Sequence, residues 1–174
     1  TGLTTISNVL TGTAGLTKTG TGILELGASA TLFSGQVKIA GNGMVRVRSD
    51  LTLGTVPASP TADAIILDGG VLANLMDPLT VSVNRGISVG ASNGWLISRN
   101  FATTTINSAI TGTGSVFIAR HNGSVVFKHP DNAYLGNTTL GAFCVGTPTD
   151  GISLLQLGAD EVIPHGVGKW KLVF

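Results

Sequence analysis

The chain has 174 residues, of which 43% are hydrophobic and only 11% are charged, well below the usual share of about a quarter. Ten basic and nine acidic residues give a net charge of +1, which argues against a nucleic acid or an anionic membrane as partner. The single cysteine, Cys144, excludes an internal disulfide, and no apolar run approaches the roughly 20 residues of a membrane-spanning helix.

The first distinctive stretch is GLTKTGTGILELG, at residues 15–27. Closely spaced glycines before an apolar run can cradle a phosphate at the start of a helix. Here Gly20 and Gly22 precede a run that favours a strand, and Lys18 comes before the glycines instead of after them. The stretch therefore does not predict a nucleotide site.

Short strands and turns alternate along the rest of the chain. Two short segments, 62–67 and 157–163, also fit a helix. The strongest strand patterns are at 45–48, 79–84, 87–89, 116–118 and 169–174, and turns are predicted at Asn42-Gly43, Asp68-Gly69-Gly70, Asn93-Gly94, Asn122-Gly123, Asp150-Gly151 and His165-Gly166.

The chain also repeats itself over a long period. Residues 4–13 match residues 104–113 at an offset of 100, and 22–26 match 123–127 at 101. This predicts a single segment over 1–174 with about one and three-quarter copies of a ~100-residue unit, copy 1 from about 4–103 and copy 2 from about 104–174.

Many short strands within a long repeat predict an all-β parallel β-helix, in which each coil lays its strands on the coil below. The low charge fits this fold, because like charges stacked about 4.8 Å apart would repel, whereas Thr and Asn hydrogen-bond along the stack. A β-sandwich is the competing fold; it explains the alternation but not the repeat.

The glycine-rich stretch and the elements after it resemble the passenger-associated transport repeat of bacterial autotransporters. Copy 2 is similar in residues 132–141, although residues 119–121 replace the Thr-Lys-Thr element. Copy 1 departs from the family at residues 28–33, where the family favours Gly-Ala-Asn-Thr-Tyr. The structural glycines of the repeat are Gly12, Gly20, Gly22, Gly35, Gly112, Gly123 and Gly136.

The resemblance implies a right-handed parallel β-helix, exported by a type V pathway and placed outside the cell or on the outer cell surface. It also implies a role in the protein's own export. Since the chain opens without an initiator Met or a signal sequence, we expect it to be a piece of a larger polypeptide.

The residues do not predict catalysis or a metal site. Most acids lie in turn contexts, where Asp caps its own backbone, and the adjacent pair Asp160-Glu161 would point to opposite faces of a strand. His121, His129 and His165 lack metal-ligand spacing, and there is no Gly-x-Ser-x-Gly elbow. No cofactor is expected.

Aromatic and basic residues are the candidates for binding. Trp95, Tyr134 and Trp170 could stack on sugars, although the alternation of Trp170 with two lysines favours an inward position. Arg46 and Arg48 share one face of a strand, which we expect to be solvated; anion binding is the alternative.

The sequence thus favours a non-catalytic structural segment that forms a stiff stalk. Two alternatives remain: an adhesin segment that binds glycans or proteins through one flank, and part of a polysaccharide-processing enzyme. The expected partners are neighbouring repeats of the chain and, through open ends, a second copy; the residues expected at these ends are Leu3, Ile6, Trp170, Leu172 and Phe174.

Overall fold

A computed structural model describes residues 2–119, 121–142, 152–160, 162–164 and 172–173. The described part consists of short strands and one 3₁₀ turn, Asp50–Leu53. The strands are β1 (Leu3–Ile6), β2 (Thr11–Gly12), β3 (Leu16–Lys18), β4 (Ile23–Leu26), β5 (Leu32–Phe33), β6 (Val37–Ala40), β7 (Met44–Val47), β8 (Thr61–Asp68), β9 (Gly70–Asn74), β10 (Leu79–Val81), β11 (Arg85–Val89), β12 (Gly94–Ile97), β13 (Thr103–Ile106), β14 (Ile110–Gly112), β15 (Val116–Ala119), β16 (Ser124–Phe127), β17 (Thr138–Ala142), β18 (Leu154–Leu157) and β19 (Leu172–Val173).

The strands stack as a parallel β-solenoid with three sides. The long sheet has the order β1-β4-β7-β9-β12-β15-β17-β19, and a five-stranded sheet has the order β3-β6-β8-β11-β14. The third side holds the pair β2-β5 and the four-stranded sheet β10-β13-β16-β18. Strands β1 to β17 of the long sheet bound about six turns, and all pairs of these strands are parallel. The predicted parallel β-helix is therefore confirmed. The competing β-sandwich does not fit, because its sheets are antiparallel.

The interior is a continuous column of aliphatic side chains. Along β4, Leu24 and Leu26 are buried and point inward, while Ile23 and Glu25 lie on the outer face. Because strand residues alternate between faces, the same two positions recur in the next turn as Val45 and Val47. Each turn therefore buries its apolar residues on those of its neighbours.

Asn-Gly pairs close several turns as the sequence predicts. Asn42, Asn93 and Asn122 have positive φ angles of 59°, 68° and 63°, a region that Asn tolerates better than most residues. In the first two pairs the glycine comes at or just before the next strand of the long sheet. Asp150-Gly151 and His165-Gly166 lie outside the described residues.

The two helix-compatible segments have different outcomes. Residues 62–67 belong to β8, which is extended and paired on both sides, with β6 and β11. Ile65 and Leu67 supply the large apolar side chains that this strand buries, and Ile66 between them is half-buried. Of 157–163, the structure describes all but Glu161, and no helix occurs in that part.

Matching elements of the two sequence copies lie on different sides of the solenoid. β1 is in the long sheet and its counterpart β13 is on the third side; β3 is in the five-stranded sheet and its counterpart β15 is in the long sheet. β13 follows β1 by four full turns and one further side. The division of the chain into copies remains a prediction.

Candidate functional site

The outer face of the long sheet carries a row of apolar side chains in register from turn to turn. Trp95 pairs with Val71 on one side and with Phe117 on the other. The rings of Trp95 and Phe117 are stacked, with centroids 4.9 Å apart and planes inclined by 15°. The indole Nε1 of Trp95 is buried and has no hydrogen-bond partner in the described part of the chain.

A second row on the same face begins with an ion pair. Glu25, Arg46, Ala73 and Ile97 are paired in successive turns, and Ala119 packs in the same cluster as Ala73 and Ile97. Arg46 Nη1 lies 3.2 Å from Glu25 Oε2, and the two side chains are only 12% and 17% exposed. Arg46 Nε also contacts Met44 Sδ at 3.4 Å. Arg46 is therefore fixed across the sheet instead of extending into water.

A third row runs just beyond the strand ends and is basic. Arg48 Nε donates to Gly27 O at 3.0 Å. Arg99 Nη1 donates to Leu75 O at 3.1 Å, and Arg99 Nε donates to His121 Nε2 at 3.2 Å. We call Arg46, Arg48 and Arg99 the arginine patch; it joins residues of two strand ends that are about 50 positions apart in the sequence.

Among the described residues, the arginine patch has more positive charges than ion-pair partners. Burial lowers the pKa of Arg99, and repulsion from Arg46 lowers it further, against a smaller opposing effect of Glu25. Within the described residues, Glu25 forms the one ion pair with the patch. The patch thus has three guanidinium groups and one carboxylate.

The sequence predicted part of this site. Arg46 lies in β7 between the buried Val45 and Val47, and Arg48 directly follows the end of that strand. The expected solvated position holds for Arg48, which is exposed, but not for Arg46. Arg99 was missed, because the turn-to-turn register that aligns it with Arg48 depends on the unequal lengths of the intervening loops.

The three aromatic candidates have separate outcomes. Trp95 lies on the outer face, beside the arginine patch. Tyr134 is only 1% exposed within the hydrophobic core, so the interpretation of Tyr134 as a sugar platform is wrong. Trp170 lies outside the described residues.

A groove follows the corner between the third side and the five-stranded sheet. It consists of two clefts of about 350 and 280 Å³, which share Thr61. Its titratable side chains include Asp63 in the first cleft and Asp131 and His129 in the second. Arg85 also lines the first cleft, but its guanidinium is held by Asp50 at 2.9 Å. The groove is thus lined mainly by small and apolar residues.

Four acidic side chains of the described part have structural partners. Asp68 accepts a hydrogen bond from the Ser92 backbone N–H at 3.1 Å; hydrogen bonds from Ser92 lower the pKa of Asp68. This agrees with the predicted turn role of Asp68. Asp63 accepts from Gln36 Nε2 at 2.9 Å, and Asp50 and Glu25 form ion pairs. Asp150 and Glu161 lie outside the described residues.

The two described histidines, His121 and His129, have different hydrogen-bond partners. His121 contacts Arg99, and His129 Nδ1 accepts from the backbone N–H of Asp131 at 3.2 Å. Within the described ranges, no group of three or more His, Cys, Asp or Glu residues is placed to hold a metal ion. His165 and Cys144 lie outside these ranges.

The predicted repeat glycines lie at the turns and strand ends of the solenoid. Gly12 and Gly112 end β2 and β14, whereas Gly20, Gly22, Gly35, Gly123 and Gly136 lie between strands. A Cβ on Gly35 would come within 2.2 Å of the backbone N of Gly15, one turn away. Their importance for the repeat stays a prediction.

Sequence comparison relates the chain to an adhesin autotransporter. It is 33% identical over 144 residues to a segment of the adhesin BmaC autotransporter of Brucella suis biovar 1 (strain 1330). The match covers 80% of this chain but only 4% of that protein. No protein-family model matches the chain, and no solved structure matches it. The expected resemblance to an autotransporter is thus supported, but not the particular repeat type.

None of the helices in the described part is long and apolar enough to cross a membrane.

Proposed function

We propose that the chain is a stiff, non-catalytic β-solenoid segment of an autotransporter-type adhesin, displayed outside the cell or on its outer surface. The observation that carries this proposal is the unbroken parallel pairing of the long sheet over about six turns. Each turn adds about 4.8 Å along the axis and is held by the ladder to the next. The similarity to an adhesin autotransporter supports the surface location.

The same architecture supports a role in export. Each turn contacts mainly the turns next to it, so a solenoid can fold one turn at a time from an end. A chain that leaves the cell in an extended form can gain folding free energy outside as each turn is added. This step would favour outward movement without a separate energy source.

Surface labelling of intact cells tests the location. We expect antibodies raised against residues 2–142 to label unpermeabilised cells, and external protease to remove the label. An antibody against a cytoplasmic protein serves as the control for cell integrity. Labelling only after permeabilisation would refute surface display.

A second candidate function is adhesion through one flank of the solenoid. The observation that favours it is the arginine patch beside the Trp95–Phe117 stack, on the outer face of the long sheet. A pure spacer does not need partly buried cations in excess of their counter-charges, because such groups cost desolvation free energy.

A further inference from the structure

We propose that the arginine patch binds the carboxylate of a uronic acid residue in an acidic polysaccharide. The proposal rests on the second candidate function and deepens it by naming the class of ligand. It does not depend on how the chain is exported.

The first argument is the unbalanced charge. Arg46 and Arg99 lie close enough for each other's charge to be felt, and both are partly removed from water. Among the described residues, Glu25 is the one carboxylate that forms an ion pair with Arg46, and none forms an ion pair with Arg99. Buried or half-buried cations are stabilised by a counter-ion, and one further anion would balance this pair.

The second argument is the set of donors that remain. Arg46 uses Nη1 and Nε, and Arg99 uses Nη1 and Nε, for the contacts above. Neither Nη2 forms a hydrogen bond or an ion pair within the described residues. Each Nη2 belongs to the planar guanidinium fork and carries two N–H groups that can donate to a carboxylate oxygen.

The third argument distinguishes a sugar from other anions. The Trp95–Phe117 stack lies on the same face, and Trp95 precedes Arg99 by four residues, about 13 Å along the strand at 3.3 Å per residue. Sugar rings pack on aromatic surfaces through their apolar faces. With a net charge of +1, the chain lacks the broad positive field that a nucleic acid would require.

Calorimetric titration of the purified 174-residue chain tests the proposal. The probe is a tetrasaccharide of alternating glucuronate and N-acetylglucosamine, and the control probe is its methyl ester, which has the same shape without the charge. We expect the acid to bind and the ester to bind at least about tenfold more weakly, equivalent to about 1.4 kcal/mol.

Variants locate the binding. Arg46→Gln and Arg99→Gln should each weaken binding of the acid about tenfold or more. Lys38→Gln, which removes one positive charge from β6 on the five-stranded sheet, should leave it unchanged. If a Gln variant fails to fold by circular dichroism, Arg46→Lys and Arg99→Lys keep the charge and remove only the fork; they too should bind more weakly.

Four results would overturn the proposal. They are equal binding of acid and ester, no binding of the acid at millimolar concentration, an equal loss with Lys38→Gln, and tighter binding of a sulfated tetrasaccharide or a polyglutamate peptide than of the uronate. Surface labelling of cells would be unaffected by any of these, so the failure of this proposal and of surface display are distinguishable.

Discussion

Tyr134 is the residue whose chemistry the interior changes most. It is the chain's one tyrosine, it is buried, and its hydroxyl is hydrogen-bonded to the Thr138 hydroxyl. Burial raises the pKa of Tyr134 from 10.0 to about 12, despite the opposing hydrogen bond. A phenolate in this core would lose its hydration without gaining a cation.

Absorbance at 295 nm should follow this ionisation directly. We expect the folded chain to titrate near pH 12 and the urea-unfolded chain near pH 10. Since the folded pKa is the higher, the contribution of Tyr134 to stability is complete below pH 10 and is lost as the pH rises towards 12. Tyr134→Phe should lack both the absorbance change and this loss; a folded-state midpoint near 10 would contradict the buried position.

Gly112 is held in a conformation that other residues rarely adopt. Its φ is 111°, and a Cβ there would lie 2.2 Å from Val89 O, in the turn below. We expect Gly112→Ala to lower the free energy of unfolding by about 1–3 kcal/mol in urea titrations. Gly2→Ala, where no atom lies within 4 Å of the added Cβ, is the matched control and should change stability little.

Local sequence signals predicted single residues where the cause is local. Asn-Gly marks a turn because both residues tolerate positive φ, and the alternation at 45–48 separates buried valines from outer arginines. The contact of Arg99 with Leu75 and the burial of Tyr134 are different. They depend on which residue of another turn comes alongside, and no local pattern records that.

At the scale of elements, the third side of the solenoid is interrupted by the 3₁₀ turn Asp50–Leu53, which separates β5 from β10. Arg85 connects this turn to the next one. Its Nε lies 2.9 Å from Asp50 Oδ1. Its Nη1 donates to Leu53 O and its Nη2 donates to Gly54 O, both at 2.8 Å. One side chain thus satisfies carbonyls that a strand ladder would otherwise pair.

The ion pair itself is costly to bury. Desolvation raises the pKa of Asp50 and lowers the pKa of Arg85, and in each case it outweighs the attraction between them. We therefore expect Arg85→Met alone to destabilise the fold by about 3–5 kcal/mol, because it leaves a buried carboxylate unpaired. Arg85→Met with Asp50→Asn should cost less than the single change. If the single and the double variant lose the same free energy of unfolding in urea, the carbonyl contacts of Arg85, and not the charge of Asp50, decide the stability.

Element types were largely predictable, and the interruption was not. Runs such as Ile87–Val89 and Val116–Ile118 are strands because β-branched and aromatic residues fit a pleated, half-buried surface. Residues 62–67 looked equally suited to a helix, and pairing on both sides decided in favour of the strand. The 3₁₀ turn had no distinct sequence signal, because its stability comes from Arg85, more than 30 residues later.

At the scale of the whole molecule, the described chain ends in an open sheet edge at β1. This strand pairs with β4 alone among the described strands, and Leu3 is 56% exposed. Gly2 O and Ile6 O accept from the next turn; by the alternation of a parallel ladder, Leu3 and Thr5 direct their backbone groups to the open side. The expected exposure of Leu3 is thus confirmed, whereas Ile6 is half-buried. Trp170, Phe174 and the side chain of Leu172 lie outside the described residues.

We expect the isolated chain to self-associate through this edge. Sedimentation velocity should show a concentration-dependent rise above the monomer value. Leu3→Pro, which removes an outward N–H without touching the ladder to β4, should reduce the association. A chain that remains monomeric at high concentration would contradict the prediction.

The repeat in the sequence predicted the solenoid, but it did not predict on which side of the solenoid each repeated stretch lies. Because β13 follows β1 by four turns and one side, the sequence of residues 4–13 recurs at residues 104–113 on the next side of the solenoid. Successive copies of the predicted repeat would therefore present the same motif on different sides of the solenoid. A flat receptor approaching from one direction would meet one copy at a time, whereas a flexible polymer wound around the shaft could meet them all.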